Sequence, residues 1–592
     1  MNLFNALRGS EFFTGRTGII AVGVLLLLAL YAGTRKRAGG RGTGKFARPT
    51  EIILRYGDFA SFPLSLFAVS VLYAFLMAIA GVLLYLGEGA LGFNSVRRVM
   101  AIGAPLLFLS ILLYLLWRSW ILESRGNRYP FGRIRYLGFY VLLWLPEKDR
   151  FEHVKIQGRA GTGKTTGFMF PGVLQDAEGN CSVVALDVKS PQAFETVAGA
   201  WCAKGKKVIL FDPYHPECIG FEPLATATLQ TLSRIEEAVY GKRDTSAEDQ
   251  TIFFDDQERR LFRLCCRLVK AYKDPRQCNL PMVHQLALRG VPALESAVTY
   301  CRDAGLQREF NTFFENRQQV HNLLGGMLNK LDLFSDPKVA AAFSRPDLDL
   351  SILFQEPSLL IVASPQKDPK ARLGAALLLR ALMLKIYEKP ERESGQGLPI
   401  FIYLDEFYNL FLPEMPDFVN TARSTRTGVT TFMQTQEQLY QYKRHEVGSL
   451  SINQKLQIYL KGCDITLCKD LSDRLGKRLL KERRVSRSWL RPSQTTTVHV
   501  EAPLLTPDQI ENLDHDQALC FTGDMRGFLI ERISSLTTAL FRKKARLPAK
   551  AYRPNPEPLV APSYKDFSDP MGSEGSPHVP PPPSGPIEMI GY

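Results

Sequence analysis

Residues Gly158-Arg-Ala-Gly-Thr-Gly163-Lys164-Thr165 match the pattern G-x-x-x-x-G-K-[ST] at every fixed position. Glycines at this spacing let the backbone curl, so that successive N–H groups face the phosphates of a nucleotide. Gly158, Gly161, Thr162 and Gly163 would form the cradle. Lys164 would reach the outer phosphates, the Thr165 hydroxyl would hold Mg²⁺, and Thr166 would add to the nucleotide contacts. A second half is needed for chemistry. Ile400-Phe-Ile-Tyr-Leu404-Asp405-Glu406 is an apolar run that ends in two acids. One carboxylate, Asp405, suits Mg²⁺, and the other, Glu406, suits the attacking water. The two motifs together point to hydrolysis of a nucleoside triphosphate.

These groups must be held by a sheet. His153-Val-Lys-Ile-Gln157 alternates like a strand ahead of the glycine loop, and the apolar segment after the loop would open a helix. The positive end of that helix would add to the anion site. Beyond residue 123 strands alternate with helices, which predicts an α/β fold with a mostly parallel sheet covered on both faces. The expected strands are Val154–Gln157, Val183–Asp187, Val208–Asp212, Leu359–Ala363, Phe401–Asp405 and Thr430–Gln434. Several are continuous apolar runs, as buried parallel strands should be. Strand signals stop over 226–345, where Phe254–Tyr272 and Phe310–Leu331 read as amphipathic helices. An all-helical domain is therefore expected as an insertion at 226–345, with the nucleotide-binding domain split into 123–225 and 346–548. From Ala549 the chain is Pro-rich and ends near Pro580-Pro-Pro-Pro583, which predicts a disordered tail over 549–592.

The first 122 residues read differently. Apolar segments at about 17–33, 61–86 and 99–117 have membrane-span length, with basic flanks. The Lys/Arg-rich loops after the first and third segments should face the cytoplasm. The N-terminus would then lie outside and the nucleotide-binding body inside. Gly39-Gly-Arg-Gly-Thr-Gly44-Lys45 also fits the glycine-loop spacing, but Phe46 stands where the hydroxyl should be and no strand precedes it. It reads as a basic linker. The net charge of +14 favours anionic partners, either lipid headgroups or nucleic acid. The ten cysteines show no C-x-x-C pair, which fits a reduced compartment.

Taken in order, the motifs resemble those of type IV secretion coupling proteins, the TraG-like membrane ATPases of conjugation. After the membrane segment and phosphate loop come Leu186-Asp187-Val-Lys189, Phe211-Asp212-Pro213 and Phe221-Glu-Pro-Leu224. Then follow the helical stretch, Leu404-Asp405-Glu406-Phe407, Gln434-Thr-Gln-Glu-Gln438-Leu439, Leu471-Ser472-Asp-Arg-Leu475-Gly476 and Pro503-Leu-Leu-Thr506-Pro507. Ser190, Glu222 and a third span depart from the family's usual pattern.

The resemblance implies a RecA-like P-loop ATPase that uses ATP and Mg²⁺ and forms a homohexamer at the bacterial inner membrane. It would pass DNA, single-stranded and attached to a relaxase of the relaxosome, to the secretion channel components. Asp405 would complete the metal shell and Glu406 would orient the water. Gln434 would either sense the γ-phosphate or simply end a strand. Asp187 and Lys189 would lie beside the site or form a structural ion pair. Arg426, in preference to Arg423, would complete a neighbour's site or be an exposed helix-end arginine. The basic stretch Lys477–Arg491 would be a DNA contact or a solvated surface loop. A receptor for protein effectors fits the same ATPase residues, whereas the early, compact membrane segment disfavours a chromosome pump of the FtsK type.

Overall fold

The computed structural model describes residues 46–57 and 127–562, with breaks at 137–138, 225–226, 242–248, 272–277, 302, 389–396, 411, 413, 440–441, 443–449, 451–453 and 489–490. The three apolar segments, the linker at Gly39–Lys45 and the chain after 562 lie outside the described residues. Among the described residues no helix is long and apolar enough to cross a membrane.

The chain enters the body through α1 (Pro49–Tyr56) and an antiparallel pair, β1 (Tyr129–Tyr136) and β2 (Phe139–Leu145). Next come β3 (Val154–Gln157), α2 (Phe170–Asp176), β4 (Ser182–Asp187), α3 (Gln192–Cys202) and β5 (Lys207–Phe211). Helices then take over with α4 (Leu229–Tyr240), α5 (Asp249–Lys270), α6 (Leu280–Leu288) and α7 (Gly290–Tyr300). They continue through α8 (Ala304–Phe314), α9 (Arg317–Leu331) and α10 (Pro337–Ala342). The single helix expected over Phe310–Leu331 is two, because the Asn316 side chain accepts from Gln319 N–H and starts a new helix there.

The sheet resumes with β6 (Ser358–Ala363), α11 (Pro369–Tyr387), β7 (Ile400–Asp405), α12 (Met415–Thr421), β8 (Thr427–Met433) and β9 (Leu456–Tyr459). After α13 (Ile465–Leu475) a separate ribbon forms from β10 (Lys477–Ser488) and β11 (Arg491–Pro503). The stretch is a strand ribbon and not the loop that one of its two readings expected: the Thr495-Thr-Thr-Val-His-Val500 run supplies a β-prone partner strand. Then α14 (Pro507–Glu511), β12 (Gln517–Thr522) and β13 (Met525–Glu531) follow.

Eleven strands make one sheet in the order β2-β1-β13-β12-β9-β3-β8-β7-β4-β6-β5. The run from β9 to β5 is parallel, and the remaining strands join antiparallel. Burial on both faces explains the apolar runs. In β4, Val184 and Leu186 enter one core, while Val183 and Ala185 enter the other. The first core is shared with the helical stretch. One ion pair is buried within the second. Arg150 pairs with Asp176 through two bonds of 2.6 and 2.9 Å, donates to the Tyr403 hydroxyl at 2.8 Å and stacks on Phe401. All ten cysteines are free.

The tail does not begin at Ala549 as a disordered chain. Residues 549–562 run along the body: Tyr552 N–H donates to Val208 O at 2.6 Å, Ala551 N–H to Glu217 Oε2, and Leu559 and Ala561 pack on the first core. Prolines here fix an extended course without preventing contact.

Candidate active site

Parallel strands deliver their carboxyl ends to one edge, where ligands bind in open α/β sheets. The neighbours β3, β8, β7 and β4 end at Gln157, Met433, Asp405 and Asp187. Gly158, Gln434, Asp405 and Asp187 therefore meet at this edge.

The loop from Gly158 to Thr165 turns through left-handed φ values at Gly161 (79°) and Gly163 (78°), which only glycine adopts freely. The Thr162 hydroxyl ties the loop to Arg159 O at 2.7 Å. Lys164 is buried, with Nζ 2.7 Å from Gly158 O and 3.1 Å from Arg159 O. Burial pulls its pKa down, while Asp405 and Glu406 support its charge. The chain leaves the loop in a wide helical turn, Thr165–Met169, that runs into α2.

The second half lies opposite. The Thr165 hydroxyl donates to Asp405 Oδ2 at 2.6 Å, across 240 residues of sequence. Burial raises the Asp405 pKa, and this hydrogen bond opposes the rise. A hydroxyl beside a carboxylate is an oxygen donor set suited to Mg²⁺, which keeps most of its waters and takes few protein ligands. Among the described residues no cluster of three or more His, Cys, Asp or Glu could hold a metal by itself. Thr165 and Asp405 are the residues here that could hold it.

Glu406 sits in a left-handed conformation, φ 47°, uncommon for a residue with a side chain. Such an outlier costs about 1–3 kcal/mol and concentrates at functional sites. Its carboxylate accepts from Gln434 Nε2 at 2.7 Å and from Gln366 Nε2. Gln434 also reaches the Tyr408 hydroxyl at 3.4 Å. Gln434 is therefore joined to Glu406.

Asp187 accepts from the backbone N–H of Lys189 at 3.0 Å and of Ala193 at 2.8 Å, so it orders the start of α3. Burial raises its pKa to about 6, with Asp405 and Asp212 adding to the shift. Arg426 stands apart. It precedes β8, at the sheet edge opposite the phosphate loop, and pairs with Glu147 at 2.5 Å. It does not reach the site of its own chain. Arg423 pairs with Glu152 at 3.2 Å.

Two site neighbours were not foreseen from the sequence. Gln366 follows β6 in Ala363-Ser-Pro-Gln366, which reads as an ordinary turn. Arg532 follows β13 and lies over the loop, where its Nη1 donates to Thr162 O at 2.7 Å. Asp516 and His515 hold its other end at 3.0 and 2.9 Å. A Cβ at Gly163 or Gly167 would collide with this guanidinium or its stem.

Two solved structures of the conjugative coupling protein TrwB are similar in fold. One is the unbound monoclinic form of TrwBdeltaN70, with 15% identity and a TM-score of 0.51 over 73% of this chain and 94% of that one. The other, the plasmid coupling protein TrwB in complex with the non-hydrolysable GTP analogue GDPNP, has 15% identity and a TM-score of 0.50 over 75% and 95%. No curated protein matches the chain. The family described as Type IV secretory system Conjugative DNA transfer matches residues 124–534. With more than half of its length covered by that match, the chain belongs to the type IV secretory system conjugative DNA transfer family.

Proposed function

We propose that this protein is an ATP-hydrolysing motor of conjugation that passes DNA to a type IV secretion channel. The observation that carries the reading is the Thr165–Asp405 hydrogen bond, which brings the phosphate loop and the acid pair into one site. Lys164 binds and neutralises the transferring phosphoryl oxygens. Mg²⁺, when bound by Thr165 and Asp405, neutralises charge on the phosphates. Glu406, aimed by Gln434 and Gln366, orients the attacking water. Gln434 links the γ-phosphate position to β8.

The motor works as a homohexamer at the bacterial inner membrane. Segments 17–33, 61–86 and 99–117 span the bilayer, with the body in the cytoplasm. Its cargo is single-stranded DNA attached to a relaxase. Arg426 serves the neighbouring subunit, a reading supported by its position at the far sheet edge. Mixing Arg426→Ala with Lys164→Ala subunits should then restore part of the activity, and no restoration would remove this role.

The decisive test is ATP turnover by the purified full chain. Lys164→Ala should lower it by ~10²-fold or more. Normal turnover in that variant would overturn the assignment.

A further inference from the structure

The ribbon of β10 and β11 pairs only with itself among the described residues, as a sheet of its own. Its 12-residue strand spans about 40 Å at ~3.4 Å per residue. Nothing in nucleotide chemistry needs an arm of that length. Its composition is one-sided: Lys477–Pro503 holds seven Lys and Arg against two Glu, a net of +5 out of the chain's +14.

The register divides these charges between the two faces, with three of the cations on one. Lys481 lies opposite His499 and Arg483 opposite Thr497, while Leu479 lies opposite Glu501. Side chains alternate between faces of a strand, so Lys477, Lys481 and Arg483 share one face with His499, Thr497 and Thr495. The other face carries Arg478, Glu482 and Arg484 among Leu480, Val498 and Val500. Leu479, on the basic face, is 56% exposed, so at its root that face looks to solvent.

The root is joined to the nucleotide site. The chain leaves the sheet after β9 and returns at β12, at the edge where β3 delivers the phosphate loop. Leu504 N–H donates to Gly476 O at 3.0 Å and closes the root. Just beyond it, Glu511 O accepts from Gly462 N–H at 2.8 Å. Gly462 lets Arg159 of the loop pack closely, since a Cβ there would lie 3.1 Å from the Arg159 Cβ. Arg532 makes a second link, from Asp516 to Thr162 O.

We propose that the β10–β11 ribbon is a nucleic-acid-binding arm whose face of Lys477, Lys481 and Arg483 grips the phosphate backbone of single-stranded DNA, with its root coupled to the phosphate loop. A row of cations with threonine hydroxyls on the paired strand fits a phosphate chain and makes no demand on base sequence. This rests on DNA being the cargo.

The test uses the purified full chain and fluorescent oligodeoxythymidine over a range of salt. The triple variant Lys477→Gln, Lys481→Gln, Arg483→Gln should lose about tenfold in affinity. Its slope of log K against log salt should shrink by about 2, from ~0.7 per lost phosphate contact. DNA-stimulated ATP hydrolysis should fall with it, while basal hydrolysis and the melting temperature stay the same. Glu501→Gln, which removes the one acid from the basic face, should tighten binding. An unchanged affinity and slope in both variants would overturn the arm. So would loss of binding to phosphatidylglycerol vesicles with DNA binding intact, which makes the ribbon a lipid contact. Loss of basal hydrolysis and of melting temperature in the triple variant, with Glu501→Gln unchanged, would make the ribbon structural. A parent chain that binds no DNA would instead overturn the cargo, a separate result.

Discussion

Glu406 and Arg532 show what two kinds of residue disclose before a structure is known. Glu406 was legible because it adjoins Asp405 at the end of an apolar run, so a local pattern carried its place beside the phosphate loop. Its two glutamine partners hold the carboxylate without neutralising it. Glu406→Gln should therefore keep nucleotide binding and lower turnover by ~10²- to 10⁴-fold, read by comparing equilibrium binding with steady-state hydrolysis. Arg532 was not legible, since it meets Thr162 across 370 residues and only the course of β13 brings them together. Its guanidinium shapes the loop from outside through a backbone carbonyl. Arg532→Ala should raise the KM for ATP several-fold more than it lowers kcat, and Arg532→Lys should recover only part of it, because one ammonium cannot span Thr162, His515 and Asp516. Equal losses in kcat and KM for both variants would point to general unfolding.

At the scale of elements, the parallel strands were readable because burial on both faces leaves continuous apolar runs. The antiparallel edge of β1, β2, β12 and β13 was not, because its pairing joins segments some 400 residues apart, as at Arg133 and Glu531. The strands are locked by buried polar groups that periodicity cannot reveal. His153, φ 66°, accepts from Val429 N–H at Nδ1 and donates from Nε2 to Val419 O, so β8 and α12 are joined through a neutral ring. Burial pushes its pKa down to about 4. The unfolded chain takes the proton first as pH falls below about 6.5, so this stability is lost between about 6.5 and 4, at most ~3 kcal/mol. Asp187, raised to about 6, has the opposite sign: its share is lost as pH rises from 3.8 to about 6. His153→Asn, which tolerates the left-handed backbone, should flatten the acid side of the melting-temperature profile, whereas an unchanged profile would remove His153 as its source. Arg150→Met leaves Asp176 charged and buried, and should cost about 3–5 kcal/mol in denaturant unfolding.

At the scale of the whole molecule, the end of the body is set by contacts and not by composition. Proline density suggested a free tail from Ala549, yet residues 549–562 form a strap over both cores. Ala549 and Ala551 pack on the second core, and Leu559 and Ala561 on the first, which is shared with the helices. The strap also covers β5, the outer strand of the sheet, through the Tyr552–Val208 bond. Arg345 donates to Glu557 O and so fastens it beyond α10. Its entry depends on Gly199: a Cβ there would run into the carbonyl of Leu547, which is backbone and cannot step aside. Truncation after Leu547 should therefore lower the melting temperature by several degrees and reduce ATP turnover, because β5 and the helices lose a shared fastening. Truncation after Pro562 should leave both unchanged, since every contact of the strap among the described residues survives. Gly199→Ala in the full chain should resemble the shorter truncation by displacing the strap at its entry. Equal melting temperatures for the two truncations would mean that the strap lies on the body without holding it.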